Sequence, residues 1–228
     1  MTITLGDVTF DTAYTTVSEK LKEVGGRDGR EITLAGVIPS EHTVAAIEGR
    51  LDAILAAVPE DACTGELRLR PGRLLLVRRT AFKRTIAHGK LVGSFELTLE
   101  ADDALEASAS LNTRVWSVTA SGDDIALTPS GTAPAEAVVT LVASGALVQP
   151  GVSDGQRAVT YDGTIGDGAT LVFDGCNGMA TLDGDDVTPY VSGVFPRLAP
   201  DGTTLTYTDA ASSSHTAAGT VAWRDRWY

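Results

Sequence analysis

The stretch from Ala146 to Tyr228 constrains this chain most. Short runs of alternating apolar and polar residues are interrupted by an Asp-Gly pair at Asp154-Gly155, Asp162-Gly163, Asp167-Gly168, Asp183-Gly184 and Asp201-Gly202. A period of two marks a half-buried strand, and Asp before Gly supplies the backbone freedom that tight hairpins require. Strands are expected near 137–142, 158–161, 170–173, 179–182, 203–207 and 220–223, a spacing that fits an antiparallel sandwich. The stretch closes on AWRDRWY, 222–228, whose strand-forming residues are expected to build a last strand into a sheet.

With 228 residues and 43% hydrophobic content, the chain can bury one large β domain or two smaller ones. TITLGDVTF opens it with a short strand pattern. Residues 16–24 fit a helical stripe through Val17, Leu21 and Val24, yet Gly25-Gly26-Arg27-Asp28-Gly29 asks for an incoming strand and a return over 31–38. One helix stands out. Ser40 after Pro39 is the expected N-cap, Val44, Ile47, Leu51, Ile54, Leu55 and Val58 follow mostly three and four apart, and Pro59 stops it. Its polar face carries Glu41, Glu48, Arg50 and Asp52, so it is expected to pack on a sheet with one side wet. ELRLR, GRLLLVRRT, AFKRTIAHGK and LVGSFELTLEADD then read as further strands, with turns at Pro71-Gly72 and His88-Gly89. Short strands near 115–118 and 125–127 precede Pro129, Gly131 and Pro134, which place a domain boundary near 130.

The formal net charge is −12, unevenly distributed. Residues 1–114 hold 17 acids against 14 Lys and Arg, and residues 115–228 hold 13 acids against 4 Arg. Such a balance disfavours generic nucleic-acid affinity. Scarce Lys with abundant Asp, Thr and Ala fits a GC-rich genome or a salt-adapted host. Between Glu66 and Glu96 there is no acid, but there are eight cations: Arg68, Arg70, Arg73, Arg78, Arg79, Lys83, Arg84 and Lys90. Their ordinary reading is strand charges facing water. Their functional reading is a positive interface, centred on Arg68, Arg70, Arg73, Arg78, Arg79, Lys83 and Arg84, that meets an acidic neighbour in an assembly. A nucleic-acid surface fits poorly, because only Phe82 interleaves with the cations.

Chemistry has little to stand on. Cys63 and Cys176 are expected to be buried free thiols, and His42, His88 and His215 each lack a second ligand at metal spacing, so no metal or cofactor site is expected. Asp183-Gly184-Asp185-Asp186 lacks the alternating carboxylates of an EF-hand loop. No G-x-S-x-G elbow or P-loop occurs; Ser40 with His42 and Ser214 with His215 read as a helix cap and a polar loop. No catalytic residue and no enzyme activity are expected. No apolar run approaches the ~18 residues of a membrane span, and MTITLGDVTFD lacks a signal-peptide layout, so no membrane anchor and synthesis in the cytoplasm are expected.

The order of features, a GRDGREITLAGVI hairpin, a helix, several strands, then LVQPGVSDGQRAVTYDGTIGDGATLVFDG, FPRLAPDGTTLTYT and AWRDRWY, resembles the distal tail proteins (Dit-like) of long-tailed siphoviruses. The resemblance implies a mainly β chain: a split-barrel-like, tail-tube-like domain over 1–130 with one packing helix, and a galectin-like antiparallel β-sandwich over 131–228. It implies a structural virion protein at the tail tip or baseplate, made in the host cytoplasm. Its first domain would form a homo-oligomeric, typically hexameric, ring between the tail tube protein and the hub or tip proteins, and its second would offer a platform for fibres or receptor-binding proteins. Arg27, Asp28 and Gly29 resemble the family's hairpin, and Trp223, Arg224, Arg226 and Trp227 its terminal strand. The alternative is a carbohydrate-binding sandwich for host-surface attachment, using aromatics such as Trp223 or Tyr190 where these lie at the surface. Galectins bind sugar through clustered His, Asn, Arg and Trp, and here the second domain has a single histidine, His215, and no such clustered set, so lectin activity does not follow from the fold.

Overall fold

The computed structural model describes residues 2–24, 27–38, 41–58, 60, 64–87, 89 and 91–228. Expectations that fall on Gly25-Gly26, Pro39, Ser40, Pro59, Cys63, His88 and Lys90 lie outside the described residues. The chain divides into Met1–Ala109 with Tyr228, and Ser110–Trp227. By contacts within each unit, the division falls at 109/110.

The N-terminal unit contains β1 (Ile3–Leu5), β2 (Val8–Phe10), β3 (Thr15–Val24), β4 (Arg27–Ile38), α1 (Val44–Ala56), β5 (Gly65–Arg68), β6 (Arg73–Ala87), β7 (Val92–Ala101) and β8 (Glu106–Ser108). These strands pair antiparallel in the order β2-β1-β5-β6-β7-β4-β3, with β8 alongside the start of β6. Residues 16–24 are strand, because the chain turns back and pairs β3 with β4 from Thr15↔Gly36 to Val24↔Arg27. GRLLLVRRT and AFKRTIA, expected as two strands, are one 15-residue strand with a bulge between Arg79 and Ala81.

β7 alternates strictly: Phe95, Leu97, Leu99 and Ala101 are buried, while Ser94, Glu96, Thr98 and Glu100 are half-exposed. The buried face lies under α1, whose Ile47, Leu51 and Ile54 join Ile32, Leu34, Leu67 and Val77 in one core. The helix cap is Thr43, whose hydroxyl accepts from the Ala46 N–H at 3.1 Å, in place of the expected Ser40. Gly93 permits the contact with α1, since a Cβ there would sit 2.5 Å from Ile47 Cγ2.

The C-terminal unit contains β9 (Asn112–Val118), β10 (Asp124–Leu127), β11 (Ala135–Ala143), β12 (Leu147–Val148), β13 (Gly151–Ser153), β14 (Ala158–Tyr161), β15 (Thr164–Ile165), β16 (Thr170–Asp174), β17 (Met179–Leu182), β18 (Asp185–Asp186), β19 (Val191–Gly193), β20 (Arg197–Leu198), β21 (Thr203–Thr208), β22 (Ala217–Trp223) and β23 (Arg226–Trp227). Two antiparallel sheets, β18-β17-β16-β11-β22-β9 and β10-β21-β13-β14-β19, make a sandwich. Leu141, Phe173 and Val221 from one sheet and Val152, Val159, Leu205 and Tyr207 from the other fill its core. β9 and β10 pair β22 and β21 and so belong to this sandwich, ahead of the turn residues of the 129–134 segment.

AWRDRWY is not one strand. β22 ends at Trp223, and Asp225 turns inward to accept from Trp223 Nε1 at 3.1 Å and from the Ser130 N–H at 3.0 Å. The Arg226 carbonyl then accepts from Thr132 and Ala133, in a contact so close that a Cβ on Gly131 would lie 2.1 Å from that oxygen.

Replacing Gly93 with Val should force α1 off β7 and cost about 1–3 kcal/mol. A thermal melt checks this, and an unchanged midpoint would mean that the helix tolerates the added bulk.

Candidate assembly interface

Register across β3, β4, β7 and β6 sorts side chains into rows. Val17, Leu34, Leu97 and Phe82 form one row, and Thr15, Gly36, Phe95 and Arg84 another, both on the α1 side. The opposite face carries Lys22, Glu31, Glu100 and Arg78. Lys22 Nζ lies 3.3 Å from Glu31 and bonds Glu100, which also takes Arg78 at 3.0 Å. These bonds, from Lys22 first and then Arg78, hold the Glu100 carboxyl below the usual range, against the opposing effect of burial.

The structure pairs each of the seven cations singled out from the sequence with an acid of its own chain. Arg68 meets Glu66 at 3.0 Å, Arg78 meets Glu100, Arg79 meets Glu60 at 2.8 Å, Lys83 meets Glu96 at 2.7 Å and Arg84 meets Asp52. Arg70 and Arg73 converge on Glu106, which is only 2% exposed, and Arg70 also reaches Glu19 at 3.0 Å. Glu19 in turn takes buried Arg30 at 2.7 Å, and Arg30 donates to the Ala104 carbonyl. A chain of alternating charge, Arg30, Glu19, Arg70, Glu106 and Arg73, thus ties β3, β4, the β5–β6 turn and β8 together. Glu19, Glu100 and Glu106 were missed in the sequence because all three lie outside or at the far ends of the acid-free segment.

Two strand edges are left unpaired among the described residues. β3 ends its sheet over Thr15–Val24, with Val17 and Leu21 exposed. On β6, β5 covers only Leu75–Val77, so the side away from β7 is uncovered from Ala81 to Ala87. Long edges invite pairing with another chain.

In the sandwich, the acids serve turns. Asp123 accepts from the Thr119 and Ala120 N–H groups and the Thr119 hydroxyl, which lowers its pKa, and Asp183 Oδ1 accepts from the Thr170 N–H. No group of three or more metal-ligating side chains occurs among the described residues. Ser214 Oγ donates to the Ser144 carbonyl, and His215 Nδ1 meets buried Asp209 at 2.7 Å. Asp209 also accepts from the Tyr207 hydroxyl, whose pKa burial and then this carboxylate push upward. One expectation is corrected: Cys176 is exposed, not buried. Of the two aromatics named for glycan stacking, Tyr190 is at the surface and Trp223 is buried at 7% exposure. No helix among the described residues is long and apolar enough to cross a membrane.

Residues 130–227 match the family model described as siphovirus-type tail component, C-terminal domain. The fold of the whole chain is similar to the crystal structure of SPP1 Dit (gp 19.1), with a TM-score of 0.68 at 13% sequence identity, covering 100% of this chain and 99% of that one. SPP1 Dit is described as a paradigm of the hub adsorption apparatus in phages that infect Gram-positive bacteria. No curated protein matches the chain.

Glu106→Gln should leave Arg70 and Arg73 with a weaker partner and cost about 1–3 kcal/mol in urea unfolding. Because the folded-state pKa of Glu100 lies below the ordinary Glu value of about 4.3, its contribution is complete above that value and is lost as pH falls through the folded value. Glu100→Gln should therefore flatten the acid limb of the stability profile, and a limb identical to wild type would remove Glu100 from that role.

Proposed function

We propose that this chain is a siphovirus tail component, a non-enzymatic virion protein whose N-terminal domain closes a ring at the distal end of the tail. The ring would sit between the tail tube protein and the hub or tip proteins, while the sandwich offers a platform for fibres or receptor-binding proteins. The observation that carries this reading is the match between the two uncovered edges. On the α1 side, β3 presents Val17, Glu19 and Leu21, and β6 presents Phe82, Arg84 and Ile86. Antiparallel pairing of one copy's β3 with the next copy's β6 sets Val17 against Ile86, Glu19 against Arg84 and Leu21 against Phe82.

On the opposite face the same register brings Lys20 and Lys83 together. Each is flanked in its own chain by an acid, Glu31 across from Lys20 and Glu96 across from Lys83. β3 and β6 run in opposite directions at the two ends of the β6-β7-β4-β3 block, so repetition around an axis keeps every pairing antiparallel. Such a head-to-tail contact closes into a ring when the rotation per copy divides the circle. Within one copy Val17 is level with Phe82, so setting it against Ile86 staggers each copy by about four residues. That is ~13 Å along the strands for ~19 Å across four strands, a tilt of roughly 35°. Closed barrels tilt by about 35–45°. Of the cations singled out above, Lys83 and Arg84 lie on this edge, whereas Arg68, Arg70 and Arg73 serve the fold. A hexamer is the copy number that the family resemblance supports.

Ser18 and Thr85 fall opposite each other in this register. In a background with Cys63 and Cys176 replaced by Ser, oxidised Ser18→Cys/Thr85→Cys protein should run as a ladder of covalent oligomers, while Ser18→Cys/Lys83→Cys should not. Lys83→Glu with Arg84→Glu should abolish assembly in light scattering at a folding cost of about 1 kcal/mol per exposed pair. A monomer at high concentration that never cross-links would sink the ring.

A further inference from the structure

We propose that the sandwich carries a binding cleft for a saccharide bearing a phosphate or carboxylate group, at the turn between β13 and β14. The cleft has a volume of about 470 Å³, and its walls include Gln156, Arg157, Arg197, Asp201, Thr204 and Thr206. It lies within one domain and does not depend on ring assembly.

Asp154 builds the site. Its side chain is 5% exposed, and its two oxygens accept from the N–H groups of Gln156 at 2.8 Å, Arg157 at 2.6 Å and Arg197 at 2.9 Å. One buried carboxylate therefore anchors the backbone of both arginines, although they are 40 residues apart in the chain. The three N–H bonds hold Asp154 ionised despite its burial, and its charge is spent on the backbone.

The guanidinium groups are left with donors to spare. Arg157 Nη1 stands 3.6 Å from Asp154, beyond hydrogen-bond reach, and Arg197 makes a single long bond of 3.4 Å to Glu136. Each guanidinium has five N–H donors in a planar fork that suits a phosphate or carboxylate. Two arginines over one cleft are notable in a half of the chain that holds 4 Arg against 13 acids.

The rest of the lining selects for more than a bare anion. Exposed Asp201 on the rim opposes an anion and accepts from hydroxyl groups, and the Gln156 amide and Thr204 hydroxyl add neutral donors and acceptors. Thr206 is engaged, since its hydroxyl donates to Asp124 at 2.6 Å. A ligand that presents an anionic group to the arginines and hydroxyls to Asp201 satisfies both ends. Phosphorylated sugars and uronic acids share that chemistry.

Calorimetric titration of the full chain with glucose 6-phosphate, galacturonate, glucose and inorganic phosphate tests the proposal. Saturable binding of glucose 6-phosphate or galacturonate is expected, at least about tenfold tighter than glucose or inorganic phosphate, a difference of about 1.4 kcal/mol. Preference for the first identifies a phosphorylated sugar, and preference for the second a uronate. Arg157→Ala and Arg197→Ala should each weaken binding by about tenfold or more without moving the melting temperature. Arg157→Lys should recover only part of the loss, because a point charge replaces the fork. The idea is overturned if neither charged sugar binds, if glucose or phosphate alone binds as tightly, or if both alanine variants bind like wild type.

Discussion

The N-terminal domain depends on the burial of alternate residues of one strand. β7 is paired along its length on both sides, and Phe95, Leu97 and Leu99 lie in the core beneath α1. Removing three such side chains from water contributes several kcal/mol, at about 1.5–3 kcal/mol each. That burial fixes the register, since a slip by one residue would turn the whole apolar set to solvent. With the register fixed, Glu96 and Glu100 must face the other way, where Lys83, Lys22 and Arg78 meet them. The core thereby decides where the charges go.

The same alternation leaves β3 and the far half of β6 as edges. A protein that stayed monomeric would be expected to shield such edges with short strands, Pro or inward-pointing charge. Here they run long, and both alternate apolar residues with one charge of opposite sign. The bulge between Arg79 and Ala81 is what places Phe82, Arg84 and Ile86 on the α1 side; without the extra residue these side chains would face the other way. One inserted residue thus decides whether the two edges match.

Much of this was legible in the sequence. Alternation announced β7, β11, β16 and β21, Asp-Gly pairs announced the hairpins, and the apolar stripe from Val44 to Val58 announced α1. The acid-free run was visible too, but not its partners. Arg70 and Arg73 find Glu106, and Arg84 finds Asp52, across gaps in sequence that only folding closes. Likewise, β9 carries no mark in the sequence of its pairing with β22. Trp223 looks like a surface aromatic in a basic terminal string, yet Asp225 draws its indole N–H inward.

The sequence by itself determined the element types and the polarity of each strand face, because period-two alternation and turn chemistry act between near neighbours. Tertiary structure alone decided which strands are neighbours, which ion pairs form, which edges remain uncovered, and that one buried aspartate brings Arg157 and Arg197 to a single cleft. Each of these joins residues far apart in the chain, and such contacts form only when the burial of the whole core outweighs the entropy of ordering the segments between them.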